Sequence, residues 1–340
     1  MSRDVVAIGG SAGGIEALRE LVASLPSDFR PSILVVIHMP AHTRSVLPAI
    51  LERGGPLPAA HAVDGEPLVG GRIYVAPPDR HLLVRDGTVV LGRGPRENGH
   101  RPAVDVLFRS VARWYGPAAI GVVLSGALDD GAAGAAVVAR HGGRVVVQEP
   151  TEALYDGMPA SAIRADDPDA VVPVAAMAAL LVEWSREQVH APAPHSDGDL
   201  VVETDVADMV DAALDDPQRP GEPVPLSCPD CSGPLYEIST DVLRFRCRVG
   251  HAWSPDSLAA QQVEGAEAAL WMAVRHLEEK AELHHRLAEA AASRGSRTAD
   301  RHTERAAEAI AAAHTIRQLL RVRVTDASIE AEAEAEVEAP

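Results

Sequence analysis

Five short apolar runs dictate the fold class: VVAI at 5–8, ILVVI at 33–37, IYVA at 73–76, AIGVVL at 119–124 and RVVVQ at 144–148. Each is short, β-branched and without polar alternation, so each reads as a strand buried on both faces. Ala- and Leu-rich stretches such as EALRELVASL (16–25) and AAGAAVVARHG (132–142) lie between them. Strands that alternate with helices pair in parallel, because a crossover helix carries the chain back to the same edge. The expected fold is α/β, a doubly wound and mainly parallel sheet with helices on both faces. One stretch departs from this pattern. HLLV, Asp86-Gly87 and TVVLG, within 79–99, read as a β-hairpin.

The second half has another texture. Residues 196–217 hold eight acidic residues and no basic ones, as expected of a solvated linker with one short helical turn. Three cysteines then fall within twenty residues. Beyond them, Val263, Leu270, Val274 and Leu277 form one helical stripe and Ala309, Ala313, Ile316 and Leu320 another, joined through AASRGSRTAD. The expected organisation is an α/β domain over 1–187, an acidic linker over 188–222 and a cysteine-bearing module over 223–255. A helical hairpin over 256–325 and an unstructured acidic tail over 326–340 complete it.

Charge narrows the function classes. The 31 basic and 49 acidic residues give a net charge of -18, which argues against a protein that coats nucleic acid or an anionic membrane. Of this, -14 lies in the linker and the tail, while residues 1–195, with 17 bases and 21 acids, are close to neutral. Lys280 is the only lysine, so no glycine-rich turn here carries a phosphate-loop lysine. An odd cysteine count, no apolar run near ~18 residues and no signal-peptide layout point to the cytoplasm and exclude membrane insertion.

The chemistry concentrates after the strands. VVAIGGSAGGIEALRE (5–20) is a strand, a glycine-rich turn and a helix, and Gly9, Ser11 and Gly13 satisfy G-x-S-x-G. A nucleophile elbow, a phosphate-binding turn and a plain structural turn all fit this pattern. His38 follows ILVVI directly, and Asp129-Asp130 follow AIGVVLSGAL. Separately, a capping histidine and an aspartate capping the helix after residue 131 would explain them. Together they place a hydroxyl, an imidazole and a carboxylate at the carboxyl ends of parallel strands, where a nucleophile, a base and an orienting acid must meet. The order Ser, His, Asp is not that of the α/β-hydrolases.

Cys228, Cys231, Cys247 and His251 form C-x2-C-x15-C-x3-H, a spacing suited to a closed structural zinc site in a zinc-ribbon-like module. A redox CxxC and bland buried thiols are the alternatives. Arg244, Arg246 and Arg248 alternate along one strand, so they share a face that would grip an acidic partner or RNA, or simply be solvated.

AIGGSAGG (7–14), VVIHMP (35–40), IYVAPPDRHLLV (73–84), GPRENGHRPAVDVLFRSVA (94–112), LSGALDDGAAG (124–134), VVVQEP (145–150) and GMP (157–159) occur in that order. In these motifs the chain resembles the catalytic domain of the chemotaxis protein-glutamate methylesterases, the CheB family, over about residues 3–185. The resemblance implies a triad of Ser11, His38 and Asp130 that needs no cofactor and hydrolyses glutamyl methyl esters of chemoreceptor cytoplasmic domains. Glutamine deamidation by the same acyl-enzyme route is a further implied activity. A non-catalytic signalling adaptor docking through the C-terminal module, or an esterase for another substrate, is the alternative. The chain departs from the family at Ala12, where many relatives have Thr, and at Gly126-Ala127-Leu128, where they have GMG. The α/β pattern begins by residue 4, so control by an N-terminal receiver domain is expected to pass to a separate response regulator or to the C-terminal module. Arg96, Glu97, Asn98, Arg101 and Asp105 read equally as substrate-rim contacts and as a charge-paired helix cap.

Overall fold

In a computed structural model, residues 2–190, 198–214, 221–238, 242–294 and 296–337 are described, without the side chains of 212, 214 and 322–337. The chain divides into two compact units, Met1–Leu258 and Ala259–Pro340.

The apolar runs become strands of one sheet. In chain order the first unit contains β1 (Val5–Gly10), α1 (Gly14–Ala23), β2 (Ser32–Ile37), α2 (Leu47–Gly54), β3 (Ala59–His61) and β4 (Ile73–Val75). The hairpin β5 (His81–Arg85) and β6 (Thr88–Gly92) follows, then α3 (Val104–Tyr115), β7 (Ala119–Val123), α4 (Ala132–Arg140), β8 (Arg144–Gln148), α5 (Gly157–Ala165), β9 (Ala170–Val172) and α6 (Val174–Ser185). The order β3-β4-β2-β1-β7-β8-β9 is parallel throughout. Two edge strands, β3 and β9, are additions to the five expected; each has only three residues and is too short to stand out from its flanks.

Alternate residues of each strand feed two cores. Val6 and Ile8 face α1, α2 and α6, with Leu18, Leu51 and Leu181. Val5 and Ala7 face α3, α4 and α5, with Phe108, Val138 and Met158. Layers on both sides explain why the strands carry no polar alternation. Strand order reverses at β1, and in open α/β sheets that switch point leaves a crevice at the carboxyl ends.

Residues 198–214 correct the expectation of a solvated linker. They form α7 (Gly198–Ala207) and α8 (Asp211–Leu214), and α7 packs on α3 with Leu200, Glu203, Thr204, Val206 and Ala207 buried. The stripe 200, 203, 204, 207 is helical, and the charge on it is neutralised by arginines described below. Of the rest of the expected linker, 191–197 and 215–220 lie outside the described residues, and Glu222 already opens the first strand of the cysteine module. Four antiparallel strands then build the cysteine module: β10 (Glu222–Ser227), β11 (Pro234–Ile238), β12 (Arg244–Cys247) and β13 (Ala252–Trp253).

The second unit consists of α9 (Pro255–Ala292), whose first turn still belongs to the first unit, and α10 (Thr298–Val337). Val274, Ala281, Ala306, Ala309, Ala313 and Leu320 are buried, Val263 is exposed, and His284 Nδ1 lies 3.0 Å from His302 Nδ1. The helix α10 continues to Val337, where an unstructured tail was expected from 326. Alanine and glutamate are strong helix formers, and no glycine or proline intervenes before Pro340. Among the described residues no helix is long and apolar enough to cross a membrane.

Candidate active site and cysteine centre

The backbone brings Ser11, His38 and Asp130 to one edge of the sheet. Ser11 N–H donates to Ser125 O at 2.9 Å, and His38 N–H donates to Gly10 O at 3.2 Å, so both residues leave their strands side by side. Gly13 turns the chain into α1 with φ +70°, a left-handed conformation that favours glycine. Gly9 serves another need: a Cβ there would lie 2.1 Å from Val104 Cγ1, so only glycine lets the N-terminus of α3 reach β1. The Ser11 turn is braced by Ser125, whose hydroxyl donates to Ala12 O at 2.8 Å and accepts from Tyr155 N–H at 3.0 Å. Sequence reading missed Ser125; its position in the LSGALDD motif was the available signal.

Asp130 is buried and receives four donors. His38 Nε2 and the Val104 N–H each lie 2.7 Å from Oδ2, while Asn98 Nδ2 at 2.9 Å and the Asp105 N–H at 3.2 Å serve Oδ1. Burial alone would raise this carboxyl, but the bond from His38, the nearby imidazoles and the α3 N-terminus hold it below the usual carboxylate range. Asp105, beneath it, is pushed up to about 7 by burial and by the Asp130 charge. His38 Nδ1 is buried and has no hydrogen-bond partner among the described residues. The ring stacks on His100 at 3.7 Å with planes 14° apart, and burial together with His38 lowers His100 to about 4. A cleft of about 520 Å³ opens beside the pair, lined by His38, Met39, Pro40, Arg96, His100 and Arg101. Arg101 pairs with Asp79 at 2.9 Å; exposed Arg96 has no such partner among the described residues.

The conspicuous polar segment thus divides its labour. Arg96 and Arg101 line the cleft. Asn98 and Asp105 lie under Asp130. Glu97 belongs to a buried ion cluster in which it meets Arg109 at 2.7 Å and Arg244 at 2.8 Å, while Glu203 meets Arg109 at 3.2 Å, Arg246 at 3.3 Å and also Arg244. Arg244 and Arg246 are therefore neither an RNA grip nor a solvated face: each is 2% exposed. Asp129 likewise does not cap α4. Its side chain accepts from Asp256 N–H at 3.1 Å, from Ser257 N–H at 3.2 Å and from the hydroxyls of Ser254 and Ser257, at the start of α9.

The four sulfur and nitrogen ligand atoms of Cys228, Cys231, Cys247 and His251 lie within 4.8 Å of one another. Cys231 Sγ is 3.7 Å from Cys247 Sγ, and His251 Nδ1 is 3.8 Å from Cys228 Sγ and 3.6 Å from Cys247 Sγ. The edge of a tetrahedron with ~2.3 Å Zn–S bonds is about 3.8 Å, so the donors fit a metal of that geometry. Two tight turns hold them: Cys228 N–H donates to Gly233 O at 2.8 Å and Gly250 N–H to Cys247 O at 2.9 Å.

A doubly wound parallel sheet that gathers a serine, an imidazole and a carboxylate at the ends of its central strands defines a class, the α/β proteins with a hydrolase-like site. Residues 6–181 match the CheB methylesterase family, and the chain belongs to that family. It is similar to protein-glutamate methylesterase/protein-glutamine glutaminase 2 of Methanosarcina mazei, 39% identical over 192 residues, covering 54% of this chain and 52% of that protein. It is also similar to the protein of that name numbered 5 in Anaeromyxobacter dehalogenans, 41% identical over 186 residues, covering 54% and 51%. The chain spans about half the length of the curated relatives it matches. Among solved structures it resembles the Thermotoga maritima CheB methylesterase catalytic domain, with a TM-score of 0.52 and 34% identity, over 54% of this chain and 99% of that one.

Proposed function

We propose that the protein is a cytoplasmic protein-glutamate methylesterase that hydrolyses glutamyl methyl esters of chemoreceptor cytoplasmic domains, with glutamine deamidation by the same route. The observation that carries this reading is the His38 ring: Nε2 is committed to Asp130, and Nδ1 is buried without a partner among the described residues. Nδ1 is then the acceptor for the Ser11 proton, the reverse of the trypsin-like ring assignment. Ser11 Oγ attacks the γ-carbonyl. The Ala12 and Gly13 N–H groups, unpartnered among the described residues and at the start of α1, meet the oxyanion. Asp130 holds the imidazolium, His38 returns the proton to departing methanol, and water releases the glutamate carboxylate from Ser11. Arg96 at the cleft favours a substrate surface that carries carboxylates.

The cysteine centre would hold a structural zinc through Cys228, Cys231, Cys247 and His251. Four protein ligands leave no open position, so the metal would lend stability to a module with a small core.

Methanol release from methylated receptor cytoplasmic fragments tests the function. Ser11→Ala is expected to lower turnover by roughly 10³-fold or more. Equal release by the variant and the wild type would overturn the assignment.

A further inference from the structure

We infer that Asn98 and Ser254 are positioning residues through which the cysteine module orients the carboxylate of Asp130. The inference rests on the proposed role of that carboxylate. Asn98 is a buried amide with every polar position used. Nδ2 donates to Asp130 Oδ1 at 2.9 Å and to Asp105 Oδ2 at 3.1 Å. Oδ1 accepts from the Ser254 N–H at 2.8 Å, and the Ser254 hydroxyl, 3.0 Å away, shares its single hydrogen between Oδ1 and Asp129 Oδ1 at 2.6 Å.

This wiring fixes which way the amide points. An amide flip would aim Oδ1 at two carboxylates and Nδ2 at two donors, so the Ser254 donors select the orientation that serves Asp130. The backbone reinforces it, since Asn98 N–H donates to Ala252 O at 2.8 Å and Ala252 N–H to Arg96 O at 3.2 Å. Residues 96–98 thus continue the module's sheet beside β13. The module also packs Trp253 against this segment: a Cβ on Gly99 would touch its ring at 3.6 Å. His100, which stacks on His38, is the next residue.

Without Asn98, Asp130 Oδ1 keeps, among the described residues, the Asp105 N–H at 3.2 Å. A carboxylate that loses a donor is held less firmly in its charged form, so the Asp130 carboxyl rises and the charged state is lost at a higher pH. Other ionisable groups facing Asp130 are His100 on the cleft side and Asp105 below, with Arg109 and Arg244 behind Asp105. All remain in place in the variants below.

The test is the rate of Ser11 labelling by a fluorophosphonate as a function of pH, in the full chain. Asn98→Ala is expected to label about tenfold or more slowly, with the acid limb of the profile moved up by about half a pH unit or more. Ser254→Ala keeps the backbone donor but removes the hydroxyl that Asn98 shares with Asp129, and is expected to lose severalfold and shift in the same direction. Ser257→Ala removes a hydroxyl bond of the same seam that ends on Asp129, and is expected to keep the wild-type profile. Should Asn98→Ala fail to fold, the two serine variants decide. A wild-type limb in Ser254→Ala, or an equal shift in Ser257→Ala, would overturn the inference. A wild-type chain that does not label at Ser11 would instead overturn the proposed function.

Discussion

Replacing Glu203 by glutamine keeps the shape of a buried side chain and removes its charge. Glu203 and Glu97 face Arg109, Arg244 and Arg246, and the three guanidiniums are each 2% exposed. After the substitution, three buried cations share one carboxylate. Burial would raise the Glu203 carboxyl, but Arg244, Arg109 and Arg246 more than reverse this and pull it from 4.5 to about 2. At ~1.4 kcal/mol per tenfold change in proton affinity, that difference amounts to about 3 kcal/mol. Breaking one partner out of a buried pair costs ~3–5 kcal/mol, which agrees.

The sign follows from the depressed value. The folded state binds the proton less tightly than the unfolded state, so the contribution is complete above about pH 4.5 and is lost as pH falls toward 2. Urea unfolding of the wild type and Glu203→Gln at pH 7, 5.5, 4 and 3, followed by tryptophan emission, measures it. The variant is expected to be about 3 kcal/mol less stable at pH 7, with the gap narrowing below pH 4.5. Glu282→Gln, which breaks the exposed pair with Arg286, serves as a control with no measurable change. A gap under about 1 kcal/mol at pH 7, or one that does not narrow by pH 3, would refute the reasoning.

Three further outcomes are expected. Arg96→Glu should raise KM for methylated receptor fragments by about five- to tenfold at low salt, less at high salt, while phosphonate labelling of Ser11 stays at the wild-type rate. Gly9→Ala should displace Val104 and with it two N–H donors of Asp130, slowing labelling by about 10²-fold and costing ~1–3 kcal/mol in urea unfolding. Elemental analysis should find one zinc per chain, and Cys247→Ser should lose it together with thermal stability.

The catalytic candidates were legible because their geometry is local. Each follows a strand whose apolar run is obvious, and parallel strands deliver their carboxyl ends to one edge whatever the rest of the chain does. The hairpin was equally plain: Asp86 and Gly87 both take positive φ, as a tight two-residue turn requires. The roles of Glu97, Asn98 and Asp129 were not legible, since each is fixed by a partner at least 100 residues distant in sequence: Arg244 for Glu97, Ser254 for Asn98 and Asp129. Local spacing offered Asp129 a helix to cap, and it caps another.

Glu203 shows what a hydropathy reading discards. Its segment is acidic enough to look solvated, yet Leu200, Thr204 and Ala207 share its helical face. A charge on an apolar stripe is either exposed by fraying or matched by a buried opposite charge. The only basic residues in the following module are Arg244, Arg246 and Arg248; the first two lie on β12 and are the match, while Arg248 falls in the turn after it. Both halves of the cluster were therefore visible, each with a bland explanation that made the other unnecessary. A seam assembled from charges and amides, with few large apolar side chains, leaves no hydrophobic signature for sequence to display. It is also unforgiving of separation: parting the module from the α/β domain would take Arg244 and Arg246 from Glu97 and leave Asn98 without the donors that aim it. Such a seam favours a module that remains part of the active-site wall over one that docks and departs.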